Sequence, residues 1–306
     1  MSDQVHLYEV SPRDGLQNEA GFVPTDNKLA FIERLLASGC RDIEVTSFVR
    51  PRWIPQLADA ADLVRRLPNV DGVTYWALVP NQVGLERALG AGIPAIATFL
   101  SASETHNKKN INRTIRESLA AQQKVIAAAR AEGMKVRSYI STVFGCPYEG
   151  DVDPGRVADL AGALLAAGVD QLSLGDTTGM GNPLQVTRVL ERLDAEGVPL
   201  HQLALHMHDT RGTALANVYA GWRAGIRTFD ASTGGLGGCP YAPGASGNLA
   251  SEDLIYMFEA MGVQTGVDLD ALAEAGHYVE EALGRELPGR YHLYHRGSRQ
   301  RVVQTA

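Results

Sequence analysis

Six times along the chain a helical stretch ends in a glycine and is followed by a short apolar strand. Gly39 precedes Asp42-Ile43-Glu44-Val45, Gly92 precedes Ile93-Pro94-Ala95-Ile96-Ala97, and Gly133 precedes Lys135-Val136-Arg137-Ser138-Tyr139. Gly168 precedes Val169-Asp170-Gln171-Leu172-Ser173-Leu174, Gly197 precedes Leu203-Ala204-Leu205-His206, and Gly225 precedes Ile226-Arg227-Thr228-Phe229-Asp230. A glycine just past a helix takes the left-handed conformation that stops it. Adding the strand-like runs at 5–10 and 73–79 gives eight strands alternating with helices. In the first helix Thr25 is the expected cap, and Leu29, Ile32, Leu35 and Leu36 fall on one face. Eight βα units of this length predict an α/β fold, a (β/α)8 TIM barrel over residues 1–265. A doubly wound open sheet is the alternative. Residues 266–306 read as a helical extension of the same domain. Its end, 290–306, carries four arginines and no acid. That composition predicts a solvated or loosely docked tail.

The chain has 306 residues, 45% of them hydrophobic, enough for a sizeable core. A net charge of −7 gives no reason to expect a nucleic-acid partner. No apolar run is long enough to span a membrane. Cys40, Cys146 and Cys239 are widely spaced and form no CxxC pair, which suits a reducing cytosol. Strand-like sequence begins by Val5, leaving no room for a signal or transit peptide, so a cytoplasmic location is expected.

In such a barrel the active site gathers at the C-terminal ends of the strands. Arg13 and Asp14 follow strand 1, Glu44 ends strand 2, and Asp176 follows strand 6. His206 and His208 end strand 7, while Cys239 and Asn248 lie on the glycine-rich loop after strand 8. His206 and His208 share one strand face, because side chains at i and i+2 point the same way. Two imidazoles plus the Asp14 carboxylate suit a divalent ion such as Mg²⁺ or Mn²⁺ with open positions, better than a closed structural zinc. Arg13 stays protonated, so it can stabilise an oxyanion but cannot act as a base. Glu44 and Asp176 read equally as its structural partners or as proton carriers. His6, at the start of strand 1, reads as structural, and His106, in a polar loop, as solvated.

Cys239 and Cys146 each stand in Gly-Cys-Pro-Tyr after a strand. Either could be a reactive thiol or a small buried hydrophobe. The glycines around Cys239 make it the more mobile of the two. Cys40, at the far end of the barrel, reads as packing. Residues 234–247 lack the Lys-Ser/Thr of a phosphate-binding loop and read better as a lid over the mouth.

Together these stretches resemble the 3-hydroxy-3-methylglutaryl-CoA lyase family, metal-dependent enzymes built on TIM barrels. The resemblance runs from Val5 to about Leu272. It is carried by Glu9-Val10-Ser11-Pro12-Arg13-Asp14-Gly15-Leu16-Gln17-Asn18-Glu19, Lys108-Lys109-Asn110-Ile111-Asn112, Gly145-Cys146-Pro147-Tyr148-Glu149-Gly150 and the glycine loop through Asn248. It implies that Asp14, His206, His208 and Asn248 bind the metal and that Arg13 contacts the substrate thioester oxygen. Cys239 would be the catalytic cysteine, with Glu44 and Asp176 as active-site acids. The implied reaction is retro-Claisen cleavage of the acyl-CoA to acetyl-CoA and acetoacetate, in leucine breakdown and ketone-body formation. A longer 3-hydroxy-3-alkylglutaryl-CoA as substrate, and a condensing acyltransferase on the same barrel, are the alternatives. A homodimer is also implied. The chain departs from animal members at Arg211, where they carry Tyr, and at Ala20, where they carry Lys.

Overall fold

The computed structural model describes residues 4–238 and 247–305, with only the backbone of 299–305. Eight parallel strands close in sequence order: β1 (His6–Glu9), β2 (Asp42–Ser47), β3 (Thr74–Leu78), β4 (Ala95–Ser101), β5 (Lys135–Ser141), β6 (Gln171–Asp176), β7 (Leu203–Met207) and β8 (Thr228–Ala231). β8 returns to β1, with Leu7 opposite Phe229 and Tyr8 opposite Asp230. The barrel expectation therefore holds and the open sheet is excluded.

The helices are α1 (Thr25–Ala37), α2 (Ala60–Arg66), α3 (Gln82–Ala91), α4 (Glu104–Ile111), α5 (Ile115–Ala131), α6 (Pro154–Ala166), α7 (Pro183–Ala195), α8 (Ala214–Arg223), α9 (Ser251–Ala260), α10 (Leu269–Leu283) and α11 (Arg290–Thr305). All six glycines read as helix stops have positive φ. At Gly39 the requirement is double. Its φ is +100°, and a Cβ there would lie 2.5 Å from the Gly266 carbonyl oxygen. Thr25 does not cap α1. It is the first helical residue, and its hydroxyl donates to Asp59 instead, at 2.8 Å.

Strand alternation separates two kinds of interior. Leu7, Ile43, Val45, Ile96, Val136, Ile140, Leu172, Leu174, Leu205 and Phe229 face outward and join the helices in one continuous apolar core. The residues between them face the barrel axis: Tyr8, Glu44, Arg137, Tyr139, Ser173, His206 and Asp230, all buried. Among the described residues only small apolar clusters sit inside the barrel, around Tyr8 with Trp76 and around Leu78 with Tyr139. Stability thus comes chiefly from the layer between sheet and helices.

Past the barrel, α10 packs on α1, and the Asp268 amide donates to Ser38 O at 2.7 Å. Of the two readings of the tail, solvated or loosely docked, the solvated one is corrected for residues 290–298. α11 packs on α9 and α10, and its His292 is fully buried. The buried position of this segment is an imidazole rather than an aliphatic side chain, while Tyr294 is exposed.

Candidate active site

The chain leaves β1 in one wide turn, Ser11–Gly15. The amides of Arg13, Asp14 and Gly15 all approach Val10 O, at 3.1, 2.8 and 3.2 Å. Consecutive residues of a strand would point apart. This turn instead lays Arg13 and Asp14 side by side at the mouth, and the Arg13 guanidinium pairs with both Asp14 and Glu44.

β2 continues to Ser47, so Glu44 sits inside the barrel rather than at the strand end. It also accepts from Tyr8 Oη at 3.0 Å and Tyr139 Oη at 2.7 Å. A guanidinium and two phenols thus share the oxygens of Glu44. Burial works against the charge of Arg13, but Asp14 and Glu44 outweigh it and hold its pKa above the ordinary arginine value. Burial likewise disfavours ionised Asp14, yet Arg13, His206 and His208 keep it well below the usual carboxylate range.

His206, on β7, and His208, just beyond it, bring their Nε2 atoms within 3.2 Å of each other. The Nδ1 of His206 lies 3.2 Å from Asp230 Oδ2, and a carboxylate there must accept. That fixes the tautomer and leaves the His206 Nε2 lone pair facing the cleft. Burial and the neighbouring His206 push His208 down to about 3, so it is a neutral imidazole in ordinary buffers. Asp14 Oδ2 is 3.8 Å from His206 Nε2. The backbones of His208 and Asn248 bridge, and Asn248 Nδ2 donates to Asp14 Oδ2 at 2.9 Å. Asn248 Oδ1 is buried with no hydrogen-bond partner among the described residues. Converging lone pairs, an ionised carboxylate and an orphaned amide oxygen form a donor set that fits a hard or borderline divalent cation.

Arg13, Asp14, His206 and His208 line a cleft of about 870 Å³. Arg50, Arg87 and Lys109 stand along its walls. Gly238 also lines it, and the Gly247 amide donates to Gly237 O at 3.2 Å. A Cβ on Gly237, whose φ is +114°, would come within 2.7 Å of Asn248 Nδ2. Cys239, expected to be the catalytic thiol, lies outside the described residues.

Asp176 stands apart from the other candidates. It ends β6 on the outward-facing side, with Leu172 and Leu174, and accepts from the amides of Met180 at 2.9 Å and Gly181 at 3.0 Å. The expectation that it partners Arg13 is corrected: the carboxylates on Arg13 are Glu44 and Asp14. Burial, opposed by those two amides, lifts Asp176 to about 6. Cys146 is buried, with Sγ 2.9 Å from Ser103 Oγ and accepting from the Tyr148 amide at 3.3 Å, so it is held in place. Cys40 is buried packing and His6 is exposed. His106 is buried in α4 and borders the cleft, not solvated as its polar neighbours suggested.

The sequence reading missed the layer beneath the site. Arg137 pairs with Asp230 through both Nη atoms, stacks 3.7 Å from the centroid of Tyr8, and is fully buried. Ser173 Oγ adds a hydrogen bond to Asp230 at 2.8 Å. One cue was available: Arg137 and Asp230 are charges at positions whose strand neighbours Val136 and Phe229 face the apolar core.

Residues 4–279 match the model of the HMGL-like family. The chain belongs to the HMGL-like family. It is 52% identical over 287 residues to hydroxymethylglutaryl-CoA lyase YngG of Bacillus subtilis, covering 94% of this chain and 96% of that one. It is 47% identical over 282 residues to a 3-hydroxy-3-isohexenylglutaryl-CoA/hydroxymethylglutaryl-CoA lyase of Pseudomonas aeruginosa, covering 92% and 94%. Among solved structures, an HMG-CoA lyase from Acinetobacter baumannii in complex with coenzyme A and 3-methylmalate superposes with a TM-score of 0.90. It is 40% identical, with 95% of this chain and 94% of that chain covered. The family match spans the turn at Arg13, the histidine pair and Asn248.

Proposed function

We infer that this chain is a carbon–carbon lyase that cleaves (S)-3-hydroxy-3-methylglutaryl-CoA to acetyl-CoA and acetoacetate. The observation that carries the reading is the convergence of Asp14, His206 and His208 beside Arg13, in a family whose relatives are named for this reaction. Asp14, His206, His208 and Asn248 would hold a divalent ion, Mg²⁺ or Mn²⁺. When bound, such an ion acidifies an alcohol and anchors a carboxylate.

The residues of the chain supply the rest. Transfer of the C3 hydroxyl proton to a general base and rupture of the C2–C3 bond leave acetoacetate and an acetyl-CoA enolate. Arg13, pinned by Glu44, offers a buried, permanent positive charge to the enolate oxygen. Cys239 returns a proton to the enolate carbon; its role rests on the family resemblance and on Gly238 standing at the cleft. Asp176 acts from behind the cleft by holding the Met180–Gly181 backbone. Arg50, Arg87 and Lys109 suit the phosphates of coenzyme A.

Among the described residues no helix is long and apolar enough to cross a membrane. We place the protein in the cytoplasm, where separated thiols stay reduced. The barrel and α10–α11 act as one domain, and the assembly is a homodimer, to be checked by light scattering. A coupled assay on the methylglutaryl thioester and longer-chain thioesters, with and without metal, tests the activity. Exhaustive chelation should abolish acetyl-CoA release, and Mg²⁺ or Mn²⁺ should restore it. Undiminished turnover in protein shown by elemental analysis to be metal-free would overturn the mechanism.

A further inference from the structure

The two C-terminal helices each present a pair of metal-type ligands one turn apart. α10 carries His277 and Glu280, and α11 carries His292 and His295. Residues three apart on a helix share a face. Here the two faces meet. His292 Nε2 lies 2.8 Å from Glu280 Oε2, and His277 Nε2 lies 3.1 Å from His295 Nδ1. The rings of His277 and His292 are 4.3 Å apart. One donor atom from each of His277, Glu280 and His292 falls within 4.8 Å of the others. His292 is fully buried and His277 nearly so.

We propose that His277, Glu280, His292 and His295 form a second metal site, separate from the catalytic cleft, that takes a zinc-like divalent transition ion and clamps α11 onto α10. Three imidazoles and one carboxylate are a nitrogen-rich set. Such a set favours Zn²⁺ and its neighbours over Mg²⁺, which asks for oxygen and keeps its waters. Four ligands on a tetrahedral ion with bonds of 2.0–2.1 Å stand roughly 3.3 Å apart. The two short contacts, 2.8 and 3.1 Å, already lie near that spacing.

The surroundings are those of a supported site. Arg296 Nη1 donates to Glu280 Oε1 at 3.2 Å, and the Leu287 amide donates to Oε2 at 2.8 Å, fixing the carboxylate. Gly276 leaves room where a Cβ would meet His292 Nδ1 at 2.9 Å and Glu252 Oε1 at 2.8 Å. Both of those atoms are buried without a hydrogen-bond partner among the described residues. The two atoms flank the same glycine, so a small side chain at 276 is needed to fit both. The other oxygen of Glu252 accepts from the Gly234 amide at 2.7 Å.

The test counts metal, with activity as a separate readout. Chelator-stripped full-length protein is dialysed against Zn²⁺ alone and analysed by elemental mass spectrometry. Wild type should hold two zinc ions per chain. His277→Asn/His295→Asn should hold one and keep its Mg²⁺-supported turnover. His206→Ala/His208→Ala should also hold one. In wild type, Zn²⁺ should raise Tm above the value in saturating Mg²⁺, and the helix variant should lose that increment. If the double variant does not fold, His295→Gln alone, at a partly exposed position, should weaken the second zinc by about tenfold or more. One zinc in wild type, two in the helix double variant, or unweakened binding in His295→Gln would overturn the proposal.

Discussion

His206 presents its Nδ1 to Asp230 at 3.2 Å, and the same carboxylate is the counter-ion of buried Arg137. One aspartate thus orients a candidate metal ligand and neutralises the charge at the centre of the barrel. Asp230→Asn keeps the shape but can offer its amide N–H₂ to Nδ1, which favours the wrong tautomer. Metal affinity should fall by about 10- to 100-fold, read by calorimetry. Thermal stability should fall as well, because Arg137 loses its ionic partner. Unchanged metal affinity would show that Asp230 serves Arg137 alone.

Arg13→Met removes the proposed oxyanion partner and leaves every proposed metal ligand in place. Turnover should drop by about 100- to 1,000-fold, as for loss of one preorganised donor, with metal content nearly unchanged. The structure adds a second consequence. Glu44 keeps only its two tyrosine donors among the contacts described, so the variant should also melt earlier. Normal turnover would make Arg13 a purely structural cation.

The two Gly-Cys-Pro-Tyr cysteines should respond differently to serine. Cys146 is buried against Ser103, so Cys146→Ser should keep most activity. Cys239→Ser should lose most turnover while retaining metal and fold, since a hydroxyl is a far weaker acid than a thiol. A thiol reagent should inactivate wild type, with protection by substrate. A dead Cys146→Ser beside a fully active Cys239→Ser would reverse the assignment.

Asp176 should leave a signature in stability against pH. Its folded pKa, about 6, lies above the unfolded carboxylate value, so the native state binds that proton more tightly. The contribution is complete below about pH 4 and is lost as pH rises through about 6. Asp176→Asn cannot titrate. Measured by urea unfolding, its deficit relative to wild type should be largest near pH 4 and shrink by pH 7. A deficit that does not vary with pH would mean that Asp176 is not shifted.

The barrel was legible because six helix ends are marked by a glycine that the local backbone demands, as Gly39 and Gly92 show. The histidine pair was legible for a similar reason: a two-residue spacing is enough to place both on one strand face. What the sequence hid is long-range. Arg137 and Asp230 are 93 positions apart, and each alone resembles an ordinary polar strand residue. Asp176 misled because closeness to a strand end does not say which face it takes. The tail misled because imidazoles can fill a helix interface that is usually aliphatic, as His292 does.

The division of the strands into an outward aliphatic face and an inward charged one also bears on how the barrel closes. A slip of one residue in any strand would exchange the two faces. Ile43, Leu205 and Phe229 would turn toward the axis, while Glu44, His206 and Asp230 would enter the layer under the helices. Such a chain would bury several charges with no partner, a cost beyond the stability of an ordinary domain. The catalytic interior therefore doubles as a register lock: the groups proposed to do the chemistry also make the misaligned barrel the worse one.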